Sequence, residues 1–370
     1  MRLALLTPTY WPLIGGMERF ADDLASWLAA HGNDVAVYTP VPALPGSDDR
    51  RPYPVVRRPF GPWLVPALRR VEAVHANGLS IRAVTVARAA GRRPVVTHAH
   101  HQAICPAEVA WSPWGRCTAD GGHLGPCAVC YRQGLDARRT LWSQRLGTHL
   151  AGMNVCISEY LARRVAVPRS TVIYNPVGPE AFATGAANGR SGGLVAYAGR
   201  IANEKGVDLL VHALARVPGA RLEVAGDGPK RPEVEALTDE LGLRPRVRFL
   251  GPVGRTQLLD LYDRAAVACV PSVCEEPFGY AAAEAMARGT PVVATPTGAM
   301  PELLADGRGF LSATTTTHDL ARALTEALED DGARVERARL SLAFARANFH
   351  VDVIGPRYVS CYERVASQRS

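Results

Sequence analysis

The sequence predicts an α/β protein built from two doubly wound domains, each with a parallel sheet. Three observations predict it. Short apolar runs such as Leu3–Leu6, Val95–Thr97, Leu194–Ala198 and Val267–Val270 alternate with helix-forming segments along the whole chain. Strands covered on both faces have that composition. Glycines follow the first run of each half, Gly15-Gly16 after Leu3–Leu6 and Gly199 after Leu194–Ala198, where doubly wound sheets bring the backbone up to a ligand. The chain has 370 residues, 47% hydrophobic and 21% charged, enough for about two cores.

Leu3–Leu6 is the first strand, and its loop Thr7–Gly16 leads to a helix from Met17 to His31. Asp34–Thr39 is the second strand, followed by a proline-rich loop, Pro40–Pro62, without periodicity. Long irregular loops are often functional, and this one is a candidate to face a substrate, or is simply a connection. Further apolar runs lie at Val71–Ala76, Pro94–His98 and Asn154–Ile157, and Thr171–Gly178 closes the first half. Ala183–Gly193 has the small, glycine-rich composition of a linker.

His98 and His100 follow the run Val95–Thr97, at the carboxyl end of a strand. Imidazoles there suit contact with, or deprotonation of, a substrate hydroxyl. Cys105, Cys117, Cys127 and Cys130 form a compact group that includes a C-x2-C pair. They can hold a structural zinc. Free thiols and an oxidised pair are the competing readings.

In the second half, Gly199-Arg200 and Lys205-Gly206 flank a turn after the strand Leu194–Ala198. An arginine fork and a lysine point charge suit the charge that grows on a departing diphosphate. Arg221–Ala225 and Val247–Gly251 are further strands. Val267–Ser272 then leads through Glu276-Pro277-Phe278-Gly279-Tyr280 into an alanine-rich helix containing Glu284. Free N–H groups at that helix start suit an anion, and the two glutamates can address different parts of one extended ligand.

The E-x7-E spacing with P-F-G after the first glutamate, together with G-R-x4-K-G, resembles the retaining nucleotide-sugar glycosyltransferases of family 4. The resemblance implies a GT-B fold, two Rossmann-like domains facing across a cleft. Expected domains are an acceptor domain 1–178 with a Cys-rich insertion at about 105–130, a donor domain 179–350, and a helix 351–370 returning to the first domain. The implied donor is a nucleoside diphosphate sugar, UDP before GDP. In this reading Glu284 holds the ribose, and Glu276 orients the donor sugar. Arg200, Lys205 and backbone near Gly199, Phe278, Gly279 and Tyr280 bind the diphosphate, while Gly15 and Gly16 lie across the cleft. Family members carry His-Asp after the histidine strand. Aligning Cys105-Pro106 with the family's Cys-Pro puts Ala99-His100 there, one residue out, so His98 and His100 both stand.

The resemblance further implies attack from the leaving-group side, with no protein nucleophile and no cofactor or divalent ion. The acceptor hydroxyl can belong to a small molecule, natural product, polysaccharide or glycolipid. Alternatives are a GT-B epimerase of nucleotide sugars and a non-catalytic binding protein. A pyridoxal-phosphate phosphorylase is discounted because the chain has few lysines.

The formal charge of +7 comes mostly from scattered arginines. No aromatic or basic pattern for nucleic acid is organised along the chain, and no well-formed amphipathic stretch demands more than peripheral membrane contact. No apolar run approaches the roughly 18 residues of a membrane span. Met1–Pro8 reads as a strand rather than a signal peptide, so a cytoplasmic location is expected.

Overall fold

The computed structural model describes residues 1–13, 15–46, 48, 51–105, 111–112, 115–116, 137–182 and 191–368. The chain forms two compact units. The first comprises residues 1–112, 117–177 and 349–370, and the second residues 113–116 and 178–348.

The first unit holds a sheet of seven parallel strands: β1 (Arg2–Leu6), β2 (Asp34–Thr39), β3 (Val55–Arg57), β4 (Ala73–Asn77), β5 (Val95–His98), β6 (Met153–Cys156) and β7 (Ser170–Val172). Their order is β3-β2-β1-β4-β5-β6-β7. The chain therefore reverses its direction of travel between β1 and β4, which is the switch point of a doubly wound sheet. Leu3 to Leu6, all of β4 to β6 and the helix residues Phe20, Leu24 and Leu28 are buried. The i, i+4, i+8 spacing of those three helix residues lays one face of Gly16–Ala30 on the core.

Several boundaries differ from the sequence reading. The expected loop Pro40–Pro62 contains β3, which extends β2 at the sheet edge through three register pairs. Three residues are too few to show alternation. The run at Val71 becomes a strand only at Ala73, and the run from Thr171 leaves the sheet after Val172. Ser191–Gly193, read as linker, begin a strand, while residues 183–190 lie outside the described residues.

The second unit repeats the topology with β8 (Ser191–Ala198), β9 (Arg221–Ala225), β10 (Val247–Gly251), β11 (Ala265–Val270), β12 (Val292–Ala294) and β13 (Phe310–Leu311). The order β10-β9-β8-β11-β12-β13 is again first-third outward on one side and fourth onward on the other, with all pairs parallel. Its switch point lies between β8 and β11. Every residue of β11 is buried, as its uninterrupted apolar run requires.

The helix Val351–Ser367 packs in the first unit, burying Ile354, Tyr358, Tyr362 and Val365. His75 of β4 ties it down. Its Nδ1 lies 2.8 Å from the Tyr362 hydroxyl and its Nε2 2.8 Å from Thr97 Oγ1, which in turn lies 3.0 Å from the Tyr358 hydroxyl. Burial pushes the His75 imidazole down to about 3, so it is neutral inside this network.

Candidate functional site

The carboxyl ends of β8 and β11 are neighbours because those strands pair, and most of the sequence-derived site residues of the second unit follow them. After β8, Gly199 N–H donates to Ala225 O at 3.0 Å, and the Tyr197 hydroxyl donates to Arg200 O at 2.8 Å. These bonds fix the backbone while the Arg200 side chain stays 61% exposed, paired with Glu204. The next turn, Asn203–Lys205, is bound to the segment after β11: Val273 and Cys274 N–H groups donate to Glu204 O at 3.0 and 3.3 Å. Gly206 makes that approach possible. Its φ is +64°, and a Cβ there would stand 2.2 Å from Pro271 O.

The result is a direct contact between the two motifs. Lys205 Nζ lies 2.5 Å from Glu276 Oε1, and Ser272 Oγ donates to the same oxygen at 2.5 Å. Burial works most strongly against the Lys205 charge, but the charge and hydrogen bond of Glu276, joined by the neighbouring Cys274 and Glu204, together hold the ammonium above its ordinary value. The Glu276 backbone is fixed as firmly. Ala299 N–H donates to Glu276 O at 2.8 Å, and Gly298, at φ +57°, packs so close that a Cβ would lie 2.1 Å from that oxygen.

Glu276 leads into the helix Tyr280–Ala287. Phe278 is buried and meets the Tyr280 ring edge-on at a centroid distance of 5.3 Å. Gly279 caps the helix in the left-handed region at φ +89°, with no side-chain cap, a conformation that favours glycine and leaves the first helical N–H groups without intrahelical partners. Glu284 is buried one turn into the helix. Arg255 Nη1 donates to Glu284 Oε1 at 2.5 Å, and its Nη2 lies 2.8 Å from Glu180 Oε1.

Arg200, Lys205, Glu276 and the Gly279 turn are therefore joined through contacts, with Glu284 on the helix that follows. The assembly offers two cations and a helix N-terminus for an anion, and two carboxylates for hydroxyl groups. Arg255, Ser272 and Glu204 were not singled out in the sequence. Arg255 opens a helix and Ser272 follows a strand, in neither case at a spacing that marks chemistry. The i, i+4 relation of Arg200 and Glu204 was the one available signal.

In the first unit, Gly15 and Gly16 follow the β1 loop and start the helix Gly16–Ala30. Gly15 is extended, φ −172°, so its backbone does not demand glycine. The three histidines after Thr97 are placed differently. His98 is fully buried, with Nε2 2.8 Å from Asn154 Oδ1. Asn154 Nδ2 donates to Thr148 O and Pro168 O, so Oδ1 is the acceptor and His98 carries its proton on Nε2. Burial pushes its imidazole down to about 4 against the opposing Asn154 bond. His98 thus links β5 to β6 inside the sheet. His101 is buried with Nε2 3.3 Å from the Tyr160 hydroxyl, whereas His100 is half-buried at the strand exit. Cys105 is buried and its N–H donates to His101 O at 2.7 Å. Cys117, Cys127 and Cys130 lie outside the described residues, among which no metal-ligating cluster occurs. Among the described residues no helix is long and apolar enough to cross a membrane.

Two family models match the chain. One described as glycosyltransferase family 4 matches residues 14–181, and one described as glycosyl transferases group 1 matches residues 188–341. D-inositol 3-phosphate glycosyltransferase of Mycolicibacterium smegmatis is 41% identical over 39% of this chain and 35% of its own length, so that match spans about a third of that relative. Glycogen synthase of Mycobacterium tuberculosis is 30% identical over 98% of this chain and 94% of its own length. Among solved structures, Anabaena HepE in complex with UDP superposes with a TM-score of 0.79 at 20% identity, covering 98% of this chain and all of the other. Its complex with UDP-glucose gives a TM-score of 0.75 at 21% identity, over 98% and 99% of the two chains. The two domain matches, the end-to-end likeness to the synthase and the paired parallel-sheet units place this chain in the group 1, family 4 glycosyltransferases, with the GT-B fold.

Proposed function

We propose that the protein is a retaining glycosyltransferase that moves a sugar from a nucleoside diphosphate sugar, with UDP preferred over GDP, to an acceptor hydroxyl without a divalent ion. The observation that carries this reading is the Lys205–Glu276 contact, which joins the basic turn after β8 to the glutamate loop after β11. The UDP and UDP-glucose complexes of the Anabaena neighbour support the choice of donor.

In this reading Arg200, Lys205 and the N–H groups behind Gly279 grip the diphosphate more strongly as the glycosidic bond breaks and negative charge builds on it. Glu284 accepts hydrogens from the ribose hydroxyls, and Glu276 orients the donor sugar. The acceptor oxygen attacks the anomeric carbon from the side the phosphate leaves, and its proton passes to the departing phosphate oxygen. Fixed positive charge on the protein takes the place a metal holds in other transferases. His100 is the histidine assigned to acceptor contact, since His98 is enclosed. A zinc held by Cys105, Cys117, Cys127 and Cys130 would brace that loop and take no part in transfer.

Release of nucleoside diphosphate from UDP- and GDP-sugars in EDTA tests the proposal. UDP-sugars consumed faster, with the anomeric configuration retained in the product, support it. Turnover only with added magnesium, or an inverted product, contradicts it.

A further inference from the structure

The Glu284 carboxylate is almost completely enclosed, with the residue 3% exposed. A charge in that position is tolerated only when it is compensated. Arg255, 29 positions earlier, donates to it from Nη1 at 2.5 Å. The same guanidinium reaches Glu180 Oε1 with Nη2 at 2.8 Å and Nε at 3.0 Å. Glu180 belongs to the short turn Pro179–Ala181 that opens the second unit.

Arg255 occupies the first position of the helix Arg255–Arg264, whose first turn contains no acidic residue. A cation there opposes the positive end of the helix dipole. The local sequence thus gives up some helix stability, and what it gains is a planar fork that spans two carboxylates.

We propose that Arg255 is a positioning residue of the donor site. It fixes the Glu284 carboxylate in the orientation that receives the ribose hydroxyls, and Glu180 fixes the guanidinium in turn. This chain of three residues sets the preference for ribonucleotides over nucleotides lacking the sugar hydroxyls. The inference rests on the reading of Glu284 as the ribose ligand.

The experiment compares UDP with 2′,3′-dideoxy-UDP by calorimetry on the full chain. Arg255→Gln should weaken UDP about tenfold while dideoxy-UDP changes less than about threefold on the same scale, so that the discrimination ratio collapses. Arg255→Lys keeps the charge without the fork and should restore part of the ratio, and Glu180→Gln should lower it by a smaller factor. A purely structural bridge would shift the melting temperature and leave the ratio alone. Arg255→Lys also serves as the reporter if Arg255→Gln fails to fold.

Glu284→Gln separates the two ideas. A ratio that collapses in Glu284→Gln but survives in both Arg255 variants overturns the positioning role alone. A ratio that survives in Glu284→Gln overturns the ribose reading and the inference with it.

Discussion

Lys205 and Glu276, 71 positions apart, meet at 2.5 Å, and this contact joins the two sequence motifs of the second unit. Both side chains are largely covered, 29% and 10% exposed. The pair therefore differs from a surface bridge worth at most about 1 kcal/mol. Lys205→Gln should cost about 3 kcal/mol by leaving a covered carboxylate without its cation. Chemical unfolding of the second unit measures it, and a loss well under about 1 kcal/mol contradicts the strength assigned to this contact.

Glu276→Gln separates sugar orientation from nucleotide grip. Turnover should fall roughly a hundredfold through a misplaced donor sugar, while UDP affinity stays within about threefold. A matched fall in UDP affinity would move Glu276 from the sugar to the nucleotide.

Arg200→Ala removes an exposed side chain, so the fold should be unaffected. Turnover should drop by about two to three orders of magnitude, the usual effect of losing a donor that stabilises transition-state charge. Steady-state kinetics with a saturating UDP-sugar and a parallel melting curve decide it. Full activity in this variant removes Arg200 from the phosphate clamp.

Gly298→Ala tests whether the Glu276 backbone has room to shift. The added Cβ would meet Glu276 O at 2.1 Å and adopt φ +57°, so the loop must move or the unit must lose stability. We expect both a destabilisation of about 1–3 kcal/mol and a fall in turnover. Wild-type values for both would show that the loop tolerates displacement.

His75 and His98 make the first unit acid-sensitive. Their imidazoles are pushed down to about 3 and about 4 by burial, against an unfolded value of about 6.5. Between those values the unfolded chain binds protons that the folded unit refuses. Their contribution to stability is therefore full above about pH 6.5 and falls as the pH drops toward 4. Lowering the pH from 7.5 to 5.5 should cost about 1 kcal/mol per histidine. Urea unfolding at both values checks it. The loss should shrink by that amount in His75→Gln, and an unchanged loss contradicts the neutral buried imidazole.

The strands Leu3–Leu6, Leu194–Ala198 and Val267–Val270 were legible because a strand covered on both faces is a continuous apolar run. The strand order was not, since pairing β1 with β4, or β8 with β11, depends on contacts far apart in sequence. The site divides the same way. Glu276, Gly279 and Glu284 lie within one turn and helix and could be read from spacing. Arg255 reaches Glu284 from another element, with no local pattern to announce it. His98 and His100 share a composition signal, and what separates them is that His98 is the last residue of β5 and bonds Asn154 of the neighbouring strand, whereas His100 lies two residues further on, past the strand end.

The most direct measurement is calorimetric titration of the purified protein with UDP, GDP, ADP and dTDP in EDTA. The account predicts that UDP binds most tightly and that Arg200→Ala and Glu284→Ala each weaken it at least about tenfold. Binding that requires a divalent ion, or that survives both substitutions unchanged, would contradict the metal-free nucleotide site at the β8–β11 switch point.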